Sequence, residues 1–140
     1  MQYNFVYGDA EELLKYQSAY LGDNSNVGNL VYALPHVNGI KPVGIELQTT
    51  SEPYEVSINC LGFGFDENLS GPYFKNAAVI FSLIDNVGIV NYHIQGNESI
   101  KSFQFTRLEI EEYFQQDVRK YAKSPDEFKG FLQEVLDYCI

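Results

Sequence analysis

Residues Ala77 to Ile94 read AAVIFSLIDNVGIVNYHI, the most apolar run in a chain of 140 residues, and the way this run divides decides the fold. It breaks at Asp85-Asn86-Val87-Gly88. Before the break, Phe74, Ala77, Ala78, Phe81 and Ile84 recur at helical spacing, and Val79, Ile80 and Leu83 make the other faces apolar too, the pattern of a helix buried on most sides. The β-formers from Val79 to Ile84 also suit a buried strand. Pro72 near the start and Asn86 and Gly88 past the end are helix-boundary residues, however, and favour the helix. After Gly88 the period becomes two, with Val90, Tyr92 and Ile94 on one face and Ile89, Asn91 and His93 on the other. A central helix therefore feeds directly into a half-buried strand.

Outward from this run the same alternation recurs. VGIELQT sets Val43, Ile45 and Leu47 against Gly44, Glu46 and Gln48, and YEVSINC sets Tyr54, Val56, Ile58 and Cys60 against Glu55, Ser57 and Asn59. With Thr50 to Pro53 between them, the two segments predict an antiparallel hairpin. His36 to Pro42, with Asn38-Gly39 and two prolines, reads as an exposed loop. On the far side, Gln95 to Ser99 makes a turn, and Phe103 with Phe105 gives a strand facing the same core as Tyr92. The order is hairpin, helix, hairpin, and hairpin-helix occurs twice.

Helix starts are written at both ends of the chain. Tyr3 to Tyr7 is β-prone; Asp9 then places a carboxylate before a helix over roughly Ala10 to Tyr16, with Glu12 at capping-box spacing. Asp23, Asn24 and Ser25 are all good caps, and Val27, Leu30, Val31 and Leu34 form the stripe of a helix that ends before Pro35. Thr106 and Glu109 form a capping box by spacing, opening a helix that Leu108, Ile110 or Glu111, Tyr113 or Phe114 and Val118 carry toward Tyr121. Ser124-Pro125-Asp126-Glu127 opens the last helix, whose buried face is Phe128, Phe131, Leu132, Val135 and Leu136. The chain thus reads as an α+β fold, a single domain over residues 1–140. A four-stranded, mostly antiparallel sheet, its two hairpins flanking a central helix, carries the N- and C-terminal helices packed on it.

Composition limits the function. Nine basic and nineteen acidic residues leave a net charge of −10, which repels phosphate backbones and anionic headgroups and argues against nucleic-acid and membrane-surface partners. No run approaches the ~20 apolar residues of a membrane span, and Met1 to Asn4 lacks the basic and apolar regions of a signal peptide. Two cysteines, Cys60 in a strand and Cys139 next to the end, read as buried or frayed thiols before they read as a disulfide framework. Eleven tyrosines exceed what core filling requires, and Tyr3, Tyr7, Tyr16, Tyr20 and Tyr32 crowd the first quarter, a composition open to sugar or peptide binding as well as to amphipathic packing.

Catalytic signatures are missing. Asp66, Asn68, Ser70 and Gly71 match the first half of a calcium loop, but Ala77 stands where the bidentate glutamate belongs, so a plain Asx-type turn is the reading and no metal is expected. His36 and His93 lack paired-ligand spacing. A Cys60 and His93 nucleophile pair has no third orienting group in sequence. No phosphate-binding loop, nucleophile elbow or dinucleotide fingerprint is present, and Gly62-Phe63-Gly64 is a fragment of one at best. The Glu11-Glu12 and Glu109-Glu111-Glu112 groups sit in first helical turns, where carboxylates complement the helix dipole. Neither catalytic residues nor a cofactor can be assigned.

The segment ELLKYQSAYLGDNSNVGNLVYALP, followed by GIELQT, PYEVSIN, the AAVIFSLIDNVGIVNY run and TRLEIEEYF, resembles the domain of unknown function 4825 family over nearly the whole chain. YLGDNSNVG is the most specific part. The resemblance implies an extracytoplasmic domain of Gram-positive bacteria, found in lipoproteins and at the outer end of membrane metallopeptidases, anchored to the membrane through a segment outside this chain. No activity is established for that family, so no catalytic residue carries over.

Two functions of different class follow. One is a non-catalytic sensing or binding module for a peptide or glycan of the cell envelope, or for a protein partner. Its candidate surface is the corner of Tyr20, Gly22, Asp23, Asn24 and Ser25, where three possible caps serve a helix that needs one and exposed amides can receive an anionic group. Local backbone bonding of the spare side chains is the competing account of that corner. The other function is a cell-envelope hydrolase whose acid pair is assembled only by the fold.

Overall fold

A computed structural model describes residues 5–37, 39–62 and 70–137. In chain order the elements are α1 (Ala10–Leu14), α2 (Asn24–Ala33), β1 (Ile40–Gln48), β2 (Tyr54–Gly62), α3 (Ser70–Leu83), β3 (Val87–Gln95), β4 (Ile100–Thr106), α4 (Arg107–Phe114), a 3₁₀ helix (Val118–Lys123) and α5 (Pro125–Asp137). The strands form one sheet in the order β1-β2-β3-β4. Both hairpins are antiparallel, and β2 pairs with β3 in parallel. A parallel pair needs a long crossover, and α3 is that crossover, so the expected hairpin-helix-hairpin order becomes a mixed, mostly antiparallel sheet.

Register decides which side chains face the helices. Val56 pairs with Val90, Ile58 with Tyr92 and Cys60 with Ile94, then Val90 with Phe105 and Tyr92 with Phe103. These residues make the core face, as the alternation predicts. β1 departs from expectation. It begins at Ile40, inside the segment read as a loop, and Val37 and Ile40 are buried. Pro42 pairs with Cys60 but Gly44 with Asn59, so Val43 is an extra residue and is 49% exposed instead of sharing a face with Ile45 and Leu47. The bulge resets the parity by one, which lets Pro42 and Ile45 both face inward. Proline is tolerated there because β1 is an edge strand.

α3 is buried almost all round, as its sequence demands. Ile80, Phe81 and Leu83 are fully enclosed, each contributing on the order of 1.5–3 kcal/mol by removal from water. Tyr73 lies 4.5 Å from Tyr92, and Phe74 meets Phe105, Tyr113 and Phe114. Two polar residues of α3 are buried with partners. Asn76 donates to the Pro35 carbonyl at 2.9 Å and accepts from the Tyr7 hydroxyl at 3.0 Å, and Ser82 donates to the Val118 carbonyl at 2.8 Å. They tie the N-terminal segment and the C-terminal layer to the central helix.

The C-terminal layer follows its caps. Thr106 and Glu109 make the expected reciprocal box. α4 nevertheless ends at Phe114, well short of Tyr121, because Gln115 turns left-handed at φ 62° and Asp117 starts a 3₁₀ turn by accepting the Arg119 amide. Its buried stripe is Ile110 and Phe114, and Leu108, read as apolar lining, is 66% exposed. Ser124 Oγ accepts the Glu127 amide at 3.2 Å and opens α5 with Pro125 at its first position. α1 also stops early, at Leu14; Asp9 caps it through the Glu11 amide, while Glu12 pairs with Lys15.

α2, α3 and α4 pack on the sheet, α3 and α4 on the face that carries Tyr92 and Phe105, while the 3₁₀ helix and α5 pack on α3 and α1 packs on α5. The opposite face is polar: Asn91 donates to Glu55 and Ser57 and accepts from Gln104, Asn59 bonds Glu46, and His93 bonds Ser102 at 2.8 Å.

Candidate functional site

The corner singled out in the sequence sits where the segment after α1 crosses the end of α3. The Ser18 amide donates to the Leu83 carbonyl and its own carbonyl accepts the Asp85 amide, both at 2.9 Å, a one-residue parallel bridge alongside Ile84. Three residues on, the buried Leu21 donates its amide to Asn86 Oδ1 at 2.6 Å. Asn26 reaches back to the Tyr16 carbonyl, also at 2.6 Å. These bonds strap residues 16–26 across the Asp85-Asn86 turn, the break that divides the apolar run.

Tyr20, Asp23, Asn24 and Ser25 are brought together on this strap. Asp23 alone takes the cap of α2, accepting from the Asn26 amide at 3.2 Å. Asn24 and Ser25 form the exposed first turn, and neither side chain has a hydrogen-bond partner among the described residues. Tyr20 is 72% exposed, with its backbone held by the Ser18 hydroxyl. Asp23, Asn24 and Ser25 are all exposed.

Asn86 also lines a cleft of about 590 Å³, whose walls are Glu52 to Tyr54, Asp85 to Gly88, Arg107 and Arg119. The strap thus adjoins it. Its walls are the starts of β2 and β3 and the end of β4, which the sheet order places side by side. Gly88 is required there: a Cβ at that position would come within 2.9 Å of Pro53 Cβ.

Both arginines of the chain stand at this cleft, and their donors are committed. Arg107 gives Nε to the Val87 carbonyl, Nη1 to Phe81, and Nη2 to Ile84 and Asp85, at 2.9 to 3.2 Å, while its guanidinium lies 5.1 Å from the Phe81 ring centre. It closes the C-terminus of α3, where free carbonyls and the negative end of the dipole both favour a cation. Burial, then the neighbouring Arg119, pulls its pKa down to about 10. Arg119 holds Asp117 through Nε and Nη2 and the Asp85 carbonyl through Nη1. That hydrogen bonding lowers the Asp117 carboxyl to about 2, whereas burial, and then the Asp117 charge, raises Glu111.

The other sequence candidates lie apart. Cys60 faces the core and burial pushes its thiol up to about 12, while His93 points from the opposite face of the sheet, so the two do not form a nucleophile pair. His36 is half-buried with neither ring nitrogen bonded, and burial lowers its pKa. Of the calcium motif, Ser70 opens α3 and Ala77 is enclosed in it, while Asp66 and Asn68, like Cys139 and Tyr3, lie outside the described residues. Among the described residues no group of acids, histidines and cysteines is arranged to hold a metal.

Sequence reasoning missed Arg107 and Arg119. Their one signal is rarity: an acidic chain has two arginines, one directly after a cap residue and one two residues after an aspartate.

Neither the curated proteins nor the solved structures contain a match to this chain. A family profile described as domain of unknown function (DUF4825) does match, over residues 13–106, from α1 through the strap, the hairpins and α3 to the end of β4. That match covers more than half of the chain, which therefore belongs to the domain of unknown function 4825 family.

Proposed function

We propose that the domain is a non-catalytic sensing or binding module of the bacterial cell envelope, taking a peptide or glycan, or a protein partner, at the cleft and its adjoining corner. The observation that carries this reading is the Leu21 to Asn86 bond. It makes the exposed polar corner and the wall of the cleft one fixed surface, ready to bind without paying to order itself. The cleft offers hydrogen-bonding backbone, the carboxylates of Glu52 and Asp85 and the ring of Tyr54, and Tyr20, Asn24 and Ser25 stand on the strap that Leu21 ties to Asn86. Its arginines serve the fold, and the chain's cysteine and histidine candidates are elsewhere. The extracytoplasmic, membrane-anchored setting rests on what the family resemblance implies. No helix among the described residues is long and apolar enough to cross a membrane.

A hydrolase would need an acid pair. Glu111 and Asp117 are such a pair with pKa values pushed apart, the arrangement acid-base chemistry uses. Asp117, however, is chelated by Arg119 and is a poor base in that state.

Titration of muropeptides, peptides and glycan fragments followed by amide chemical shifts tests the reading. Binding should perturb Tyr20 to Ser25 and Asp85 to Gly88 together, and Tyr20→Ala, Asn24→Ala and Ser25→Ala should weaken it with unchanged melting temperature. No binding by any fragment, or loss of affinity only in proportion to lost stability, would refute it. Turnover of a fragment that Glu111→Gln abolishes would establish the hydrolase instead.

A further inference from the structure

The face of the sheet opposite Tyr92 and Phe105 is open, with Glu46, Ser102 and Gln104 exposed on it. Register lays Glu46, Ser57, Asn91 and Gln104 in one row across all four strands. Glu55 stands in the next row on one side of it and Asn59 in the next row on the other.

These side chains bond one another and leave acceptors over. The side-chain amide of Asn91 donates to Glu55 at 3.1 Å and to Ser57 at 3.2 Å, and its oxygen receives Gln104. Asn59 holds Glu46 in the same way at 3.2 Å. The second oxygen of each glutamate and the amide oxygens of Asn59 and Gln104 have no donor among the described residues. Both carboxylates are thus fixed by neutral amides and meet no cation there, unlike Glu12, Glu111 and Asp117, which pair with Lys15, Arg107 and Arg119. Of the two lysines on the strands, Lys101 pairs with the core residue Ile94, and Lys41 stands beyond Asn59 at the far end of the open face.

We propose that this open face docks a basic segment of a partner protein, whose lysine or arginine side chains bridge Glu46 and Glu55. Charge complementarity selects the occupant. The groups left over on the face are acceptors, two of them carry a full negative charge, and the whole chain stands at −10. Glu46 and Glu55 are diagonal neighbours on adjacent strands, a separation of roughly 7–8 Å that one guanidinium fork or ammonium group spans. Side chains already ordered by their own hydrogen bonds bind without the cost of fixing them. At the end beside Lys41, Leu61 and Ile100 are 36% and 60% exposed on the same face and add an apolar contact. A second copy of this chain would bring its own excess of acids and is repelled. The open face is separate from the cleft, and its role does not rest on the reading of the cleft.

Titration of the whole chain with a short capped peptide of alternating arginine and glycine, and with its glutamate counterpart, followed by backbone and side-chain amide chemical shifts, tests the proposal. Saturable shifts should be confined to Ser57, Asn59, Asn91, Gln104 and their neighbours on the open face, and the affinity should fall as salt rises. Glu46→Gln and Glu55→Gln keep an acceptor for Asn59 and Asn91, so the melting temperature should hold while each weakens binding roughly two- to fivefold. Glu127→Gln with Glu134→Gln on α5 removes the same charge elsewhere and should leave binding unchanged. Equal weakening by the α5 pair, shifts that spread over every acidic surface without saturating, or equal binding of the glutamate peptide would reveal a general charge effect and overturn the proposal. No binding of the arginine peptide at low salt overturns it as well. A dimer whose formation slows amide exchange on this face would assign the face to a second copy instead, and saturable binding of a neutral glycan fragment there, indifferent to Glu46→Gln and Glu55→Gln, would assign it to sugar.

Discussion

The guanidinium of Arg107 donates to the carbonyl of Ile84 at 2.9 Å, so the first residue after the fourth strand closes the end of the central helix. The same group reaches Phe81, Asp85 and Val87. Arg107→Ala leaves these carbonyls without their cation, and we expect a loss of roughly 2–4 kcal/mol in urea unfolding. Arg107→Lys should recover little, because an ammonium cannot span the same carbonyls. A cost within experimental error of zero for Arg107→Ala would show that water replaces it.

Gly88→Ala tests the close approach of the first hairpin loop to β3. The added methyl would stand 2.9 Å from Pro53 Cβ, a ring carbon that cannot swing aside. A cost of about 1–3 kcal/mol is expected, as for other overpacked sites. Equal stability of the two proteins would place the loop farther away.

The acidic limb of stability should carry the signature of Asp117. Its folded pKa of about 2 lies below the unfolded value, so its contribution is complete above pH ~4 and is lost as pH falls toward 2. Asp117→Asn should therefore lower the melting temperature at pH 6 and cease to matter near pH 2. The effect will be modest, because the side chain is a third exposed. Glu111 runs the other way: its raised pKa removes stability as pH rises through the folded value, so Glu111→Gln should become relatively more favourable toward neutral pH. Parallel melting curves across the pH range for Asp117→Asn and its parent would contradict the ion pair.

Ser124→Ala removes the acceptor for the Glu127 amide at the start of α5. A loss of ~1 kcal/mol is expected from N-cap replacements generally, with Ser124→Gly costing less. If denaturant midpoints do not move, the last helix begins elsewhere.

How much of this was legible in the chain depends on range. The division of the apolar run at Asp85 to Gly88, the capping box at Thr106 and the cap at Ser124 rest on neighbours a few residues apart, and each is found where the sequence places it. Two of the expectations that failed share a cause. Val43 breaks the alternation because Pro42 and Ile45 must both face inward, and α4 stops at Gln115 because the turn after it is held by Ser82 at the Val118 carbonyl and by Arg119 on the Asp85 carbonyl. Both are decided by partners on other elements.

The candidate site divides the same way. Three adjacent cap residues announced spare polar groups at Asp23 to Ser25, and the sequence alone determined the α+β class, the central helix, the caps and the strand alternation, all governed by local periodicity and local hydrogen bonds. Only the tertiary structure decided that Leu21 would bond Asn86, sixty-five positions away, that both arginines would serve one cleft, and that β2 and β3 would lie parallel. Those choices depend on which orphan carbonyls, amides and apolar faces meet when distant segments pack, and no spacing along the chain encodes that.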